Sequence, residues 1–178
     1  MTVRAATAED WPGIWCALEP AFRAGETYTY PRDMSESDAR AAWTGATGAR
    51  VLVAVDAGPT ASSTASSTGR LTDRGVVLGT AKYLPNHPGA GAHVANASFV
   101  VAPAGTGRGV GRALARAVLD GARADGYRAM QFNAVVETNE RAVRLWESFG
   151  FRVLATVPAA FAHPTQGLVG LHIMYREL

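Results

Sequence analysis

The sequence predicts an α+β domain built on a mixed, twisted central sheet of about seven strands flanked by four helices. Three observations carry this. The first is the unit at residues 99 to 126: the β-prone run Phe99-Val100-Val101 ends before Pro103, glycines alternate at 105, 107, 109 and 111, and an amphipathic helix follows. The second is a further strand and helix over 129 to 149, followed by two β-prone runs, so that strands and helices alternate and then give way to strands. The third is length. A chain of 178 residues with 48% hydrophobic content suits a single domain, 1–178, with a sizeable core.

The elements follow in order. Val3-Arg4-Ala5 is a short first strand. Thr7 is a helix N-cap, with Asp10 three residues later and Pro12 near the first turn; the helix runs through Ile14, Leu18 and Phe22 and stops at Gly25. Glu26 to Pro31 is a polar, aromatic loop, and Ser35 opens a second short helix. Residues 50–56 and 76–82 are strands. Between them, 57–75 is rich in Ala, Ser, Thr and Gly, which bury too little surface to order firmly, so it reads as a flexible hairpin tip. A turn at 86–91 leads to a strand at 92–101. In the central helix Val110, Leu114, Ala117, Val118 and Gly121 form the apolar face, and Arg112, Arg116, Asp120 and Arg123 face water. A fifth strand spans 129–135. Asn139 or Thr138 then caps a helix whose apolar positions are Ala142, Leu145, Trp146 and Phe149, with Gly150 as its left-handed stop. Strands at 151–157 and 168–175 close the chain, joined through 161–167.

Composition excludes several classes. A net charge of +2 and a pI near 9.0 suit a small polyanionic ligand, but the charge is too weak and scattered for nucleic acid. The single cysteine, Cys16, allows no intramolecular disulfide and no thiolate metal cluster, and its apolar neighbours predict buried filler. No metal is expected. No apolar leader opens the chain and no run approaches the roughly 18 apolar residues that span a bilayer, which predicts a cytoplasmic protein without membrane contact, monomeric or homodimeric.

The glycine turn carries the chemistry. It leaves the first N–H groups of the helix unpaired at the positive end of the dipole, an anion cradle. A P-loop would need Lys and Ser/Thr after the last glycine, where Arg112 and Ala113 stand. The dinucleotide fingerprint fails as well, since its last glycine falls on Val110 or Arg112. What remains, Arg108-Gly109-Val110-Gly111-Arg112-Ala113, resembles the R/Q-x-x-G-x-G/A pyrophosphate loop of the GNAT N-acyltransferase superfamily, which binds acyl-coenzyme A. One helix and one strand later, Asn139, Ala142, Leu145, Trp146, Gly150 and Phe151 resemble that superfamily's second signature, N-x-x-A-x-x-L-Y-x-x-x-G-F. The whole element order, β α α β β β α β α β β, is similar too.

The resemblance implies acetyl-coenzyme A as cosubstrate and no metal. The N–H groups of Gly109, Val110, Gly111, Arg112 and Ala113 would hold the pyrophosphate, with Arg108 and Arg112 adding charge. Backbone of Phe99, Val100 and Val101 would hold the pantetheine arm and thioester carbonyl, and Asn139 would bond coenzyme A or the reacting amine. Trp146 stands where the family usually has tyrosine; an indole cannot deliver a proton near neutral pH, so it is placed beside the cofactor or in the core, not in catalysis. Asn96 and Asn133 lie in apolar strands, and a buried amide without partners costs about 1–3 kcal/mol. They therefore either bond local backbone or face the acceptor in the gap where these two strands part in the family. Tyr28 and Tyr30 line the acceptor site or pack their loop onto the core. Glu26, His93, Glu137 and His163 are candidate bases; Glu137 joins Asn133 and Asn139 as the reacting set, and His163 joins the acceptor side. Asn96, Phe132-Asn133 and Thr138-Asn139 also look like fungal members that acetylate proline analogues. The expected reaction is direct attack of a small primary or secondary amine on the thioester. The alternatives are a protein or peptide N-terminal acetyltransferase and a non-catalytic coenzyme A-binding module.

Overall fold

The structure, a computed structural model, describes residues 1–56 and 75–178, so the expected hairpin tip lies outside the described residues apart from Gly75. The elements run β1 (Thr2–Ala5), α1 (Trp11–Ala24), α2 (Glu36–Thr44), β2 (Arg50–Asp56), β3 (Val76–Pro85), β4 (Val94–Val101), α3 (Val110–Ala124), β5 (Ala129–Val136), α4 (Glu140–Ser148), β6 (Arg152–His163) and β7 (Gly167–Glu177). The seven strands form one sheet in the order β1-β2-β3-β4-β5-β7-β6. Every neighbouring pair is antiparallel except β4 and β5, which α3 crosses over to make parallel. Leu114 and Val118 of α3 and Trp146 of α4 pack on one face with Ala81 and Met130; Ile14, Leu18 and Phe22 of α1 and Trp43 of α2 pack on the other with Val53 and Val100.

The local punctuation is as the residues dictate. Gly25 ends α1 at φ 67° and Gly150 follows α4 at φ 81°, left-handed conformations that favour glycine. Ser35 Oγ accepts from Asp38 N at 3.1 Å, and Asn139 Oδ1 accepts from Ala142 N at 3.2 Å, capping α2 and α4.

Several expectations need correction. Thr7 does cap, in a capping box whose Asp10 carboxylate accepts from Thr7 N at 2.7 Å, but the turn it opens, Ala8–Asp10, is 3-10 and α1 begins only at Trp11. The buried face of α3 is Val110, Leu114, Ala115, Val118, Leu119 and Ala122. Ala117 and Gly121 are only half-buried, so the stripe is rotated toward Leu119. Cys16 is exposed, because α1 turns Ala17 and Leu18 inward instead. Strand β6 runs on to His163, paired with Gly167, so the connection shrinks to 164–166; Phe161 is held in the ladder by packing on Val136 and Val169.

Asp10 is also an acid-sensitive point of the fold. Arg4 grips both its oxygens, Nη1 to Oδ2 at 2.6 Å and Nη2 to Oδ1 at 2.7 Å. The Arg4 guanidinium, aided by the Thr7 N–H and opposed by burial, holds the Asp10 carboxyl down at about 2. An unfolded aspartate titrates near about 3.9. The contribution, about 1–2 kcal/mol once screening at the partly exposed Arg4 is allowed for, is therefore complete above about pH 5 and lost as pH falls toward about 2. Denaturant titrations of wild type and Asp10→Asn should differ most near neutral pH and converge near about pH 2.

Candidate active site

Strands β4 and β5 pair only at Val94–Ala129 and Ala95–Met130, then part. The gap opens a cleft of about 910 Å³, lined by β4, the turn before α3, β5, the start of α4 and residues 27–30.

One end is the glycine turn. Gly105 passes so close to β3 that a Cβ there would sit 2.3 Å from Leu78 O, so only glycine fits. Gly107 and Gly109 take φ 76° and 74° with open space around them. The Ala113 N–H bonds Gly109 O at 3.0 Å and so belongs to the helix ladder, which leaves the N–H groups of four cleft-lining residues, Gly109, Val110, Gly111 and Arg112, outside it. Arg112 lines the cleft with its guanidinium 5.3 Å from the Phe149 ring centroid. Arg108 instead pairs with Asp56 at 2.6 Å, outside the cleft lining. In its place Arg141 and Arg144 line the cleft from α4, Arg144 pairing with Glu140 at 2.8 Å. Neither arginine belongs to the two sequence motifs; their local signal is a three-residue spacing on the first turns of a capped helix. The donors, charge and absence of Cβ atoms fit a pyrophosphate.

The middle of the cleft is aromatic. Trp146 is buried, its ring 4.6 Å from that of Phe99 and 4.8 Å from that of Phe132, so it both packs the core and lines the cleft. Val100 and Val101 line the same wall. Asn139 uses its Oδ1 on the α4 cap, which leaves its amide NH₂ as a donor.

At the other end, Asn96 and Asn133 both line the cleft. Asn133 is exposed, not buried, because β5 bulges between Phe132 and Val135 and turns it out. Its Nδ2 donates to Asn86 Oδ1 at 2.7 Å and its Oδ1 accepts from Gln131 Nε2 at 2.8 Å. Tyr28 and Tyr30 stack at 5.9 Å and line the cleft, with Phe22 edge-on to both. Tyr28 donates to Phe99 O at 2.9 Å, and burial pushes its phenol well above the ordinary tyrosine range.

The four candidate bases lie elsewhere. Glu137 Oε1 accepts from Gly170 N at 2.5 Å and ties β5 to β7. His93 Nδ1 lies 3.1 Å from Ala90 O, His163 bonds Thr165 at the β6–β7 turn, and Glu26 is exposed outside the cleft. Among the described residues lining the cleft there is no carboxylate and no imidazole.

The model of the acetyltransferase (GNAT) family matches residues 15–151, a span that holds both motifs and the parted strands. The chain belongs to that family. This GNAT chain is similar to a GCN5-related N-acetyltransferase from Kribbella flavida, at 50% identity and a TM-score of 0.86 over 99% of this chain and 97% of that one. It is also similar to yncA from Salmonella typhimurium, solved with its cofactor acetyl-CoA, at 27% identity and a TM-score of 0.80 over 100% and 94% of the two chains. N-acetyltransferase aca1 of Schizosaccharomyces pombe is 40% identical over 75 residues, 42% of this chain and 36% of that protein, so the match spans about a third of that curated relative. The seven-stranded mixed sheet with four helices is thus the GNAT fold. No helix among the described residues is long and apolar enough to cross a membrane.

Proposed function

We propose that this GNAT protein is a cytoplasmic N-acetyltransferase that moves an acetyl group from acetyl-coenzyme A to the primary or secondary amine of a small molecule, with amino acids and proline analogues inside that class. The observation that carries the reading is the single cleft joining an anion cradle to an amide-lined end through the gap between β4 and β5. Acetyl-coenzyme A supplies the acyl group as a thioester. The N–H groups of Val110, Gly111 and Arg112 hold its pyrophosphate, with Arg112 and Arg141 adding charge. Phe99, Val101 and Trp146 shape the channel for the pantetheine arm and keep water from the reacting end. Asn139 donates toward the reacting centre, and Asn96 and Asn133 hold the acceptor. Among the described residues the cleft lining offers no carboxylate or imidazole base, so the amine sheds its proton to water.

A second reading, acetylation of a protein or peptide N-terminus, draws on one observation: residues 27–30 wall the acceptor end, but nothing in 158–167 lines the cleft, so that side stays open to a longer chain. Thiol release from acetyl-coenzyme A across amino acids, proline analogues, polyamines, aminoglycosides and short peptides decides between them. Release with small amines is expected. Release with peptides alone would establish the second reading, and binding without release would leave a coenzyme A-binding module.

A further inference from the structure

The acceptor end of the cleft has a cation behind its wall. Lys82 of β3 pairs across the sheet with Ser98 of β4 and is only 6% exposed. Its ammonium donates to Ala42 O in the last turn of α2 at 2.6 Å, lies 3.5 Å from the Tyr30 hydroxyl, and sits 5.0 Å from the Trp43 ring centroid. Every one of these partners is neutral. Among the described residues no carboxylate pairs with it. The negative end of α2 and the Trp43 face offset part of the desolvation of a buried ammonium, which otherwise costs several kcal/mol. Burial accordingly lowers the Lys82 pKa.

The route from that charge to the cleft is Tyr30. Its side chain lines the cleft, and burial raises its phenol, so the proton stays on. A hydroxyl oxygen that accepts from Lys82 keeps its own O–H for another acceptor. Tyr28 is different, since its hydroxyl is already committed to Phe99 O. The polar residues that line the cleft from the 27–30 loop and from β4 are neutral: Thr27, Thr29, Asn96 and Ser98. The acceptor end therefore has a buried positive charge behind it, the Tyr30 O–H as a donor and, among the described residues lining the cleft, no negative group, a poor setting for a bare ammonium and a good one for an anion.

We propose that Lys82, acting through Tyr30, selects acceptors that carry a carboxylate beside the amine: the Tyr30 hydroxyl donates to the carboxylate and the Lys82 ammonium supplies the countercharge. This rests on the amine-acceptor reading and narrows it to amino-acid-like compounds. Lys82 is a specificity-determining residue that does not touch the substrate.

The test is equilibrium binding, which needs no turnover. Protein loaded with coenzyme A is titrated with matched pairs, proline against prolinamide and alanine against alaninamide, by calorimetry. Wild type should prefer the carboxylate member by on the order of 10- to 100-fold, the range for unit charges about 6 Å apart at an effective dielectric constant of about 20. The preference should collapse in Lys82→Met and shrink in Tyr30→Phe. General damage to the fold would weaken both members equally and leave their ratio intact. If Lys82→Met fails to fold, Tyr30→Phe, which keeps the ring, carries the comparison. Equal binding of the pair to wild type, or an unchanged ratio in the variants, would overturn the proposal. Thiol release with neutral amines but not with amino acids would overturn it while the transferase reading stands. The expected ratios without thiol release from any acceptor would support the anchor and remove the transferase.

Discussion

Gly111→Val is expected to raise the dissociation constant for acetyl-coenzyme A by on the order of 100- to 10,000-fold, the equivalent of losing two charge-assisted hydrogen bonds at about 1.5–3 kcal/mol each. Gly111 lines the cleft at the first turn of α3, where a Cβ would lie 3.5 Å from Leu145 and 3.6 Å from Val101, ordinary contact distances. An alanine therefore fits the packing. The branched methyls of valine do not: they must press on Leu145 and Val101 or stand over the N–H groups of the cradle. Gly111→Ala should consequently retain most of the affinity, and calorimetric titration of both variants with coenzyme A separates bulk from mere presence of a Cβ. Unchanged affinity in Gly111→Val would move the pyrophosphate elsewhere. Gly105→Ala is the wrong probe, because the contact with Leu78 O would disturb the sheet before it reported on the ligand.

Asn133→Ala should raise the acceptor KM by about 10- to 100-fold, the cost of one lost hydrogen bond to a charged group, and leave acetyl-coenzyme A affinity unchanged. The amide is exposed and bonds only Asn86 and Gln131, whose groups water can satisfy, so folding stability should hardly move. That makes the variant a clean report on the acceptor. A fall in coenzyme A affinity at constant acceptor KM would transfer Asn133 to the other end of the cleft.

These residues also mark how far the sequence could be read. The glycine turn, the Ser35 and Asn139 caps and the Gly25 and Gly150 stops are local devices, encoded within a turn of where they act, and they stand as expected. Asn96 and Asn133 do reach one cleft. Asn133 is not buried in a continuous apolar strand as its neighbours suggest, because the bulge that exposes it depends on register with β7. The Arg108–Asp56 pair joins residues 52 apart in sequence and has no local signature. The placement of Glu137 against Gly170 and the extension of β6 to His163 likewise depend on the β5–β7 and β6–β7 ladders, long-range pairings that periodicity does not encode.

The brief seam between β4 and β5 bears on the molecule's mechanics. Two antiparallel halves, β1 to β4 and β5 to β7, share one short stretch of ladder, so the sheet is jointed where the cleft begins. A ligand lodged there touches both halves and acts as a dowel across the joint. Its binding free energy then opposes separation of the halves as well as global unfolding, and the melting temperature climbs with ligand concentration. On the proposed reading, the break that admits the reactants is thus also the place where they stiffen the protein that holds them.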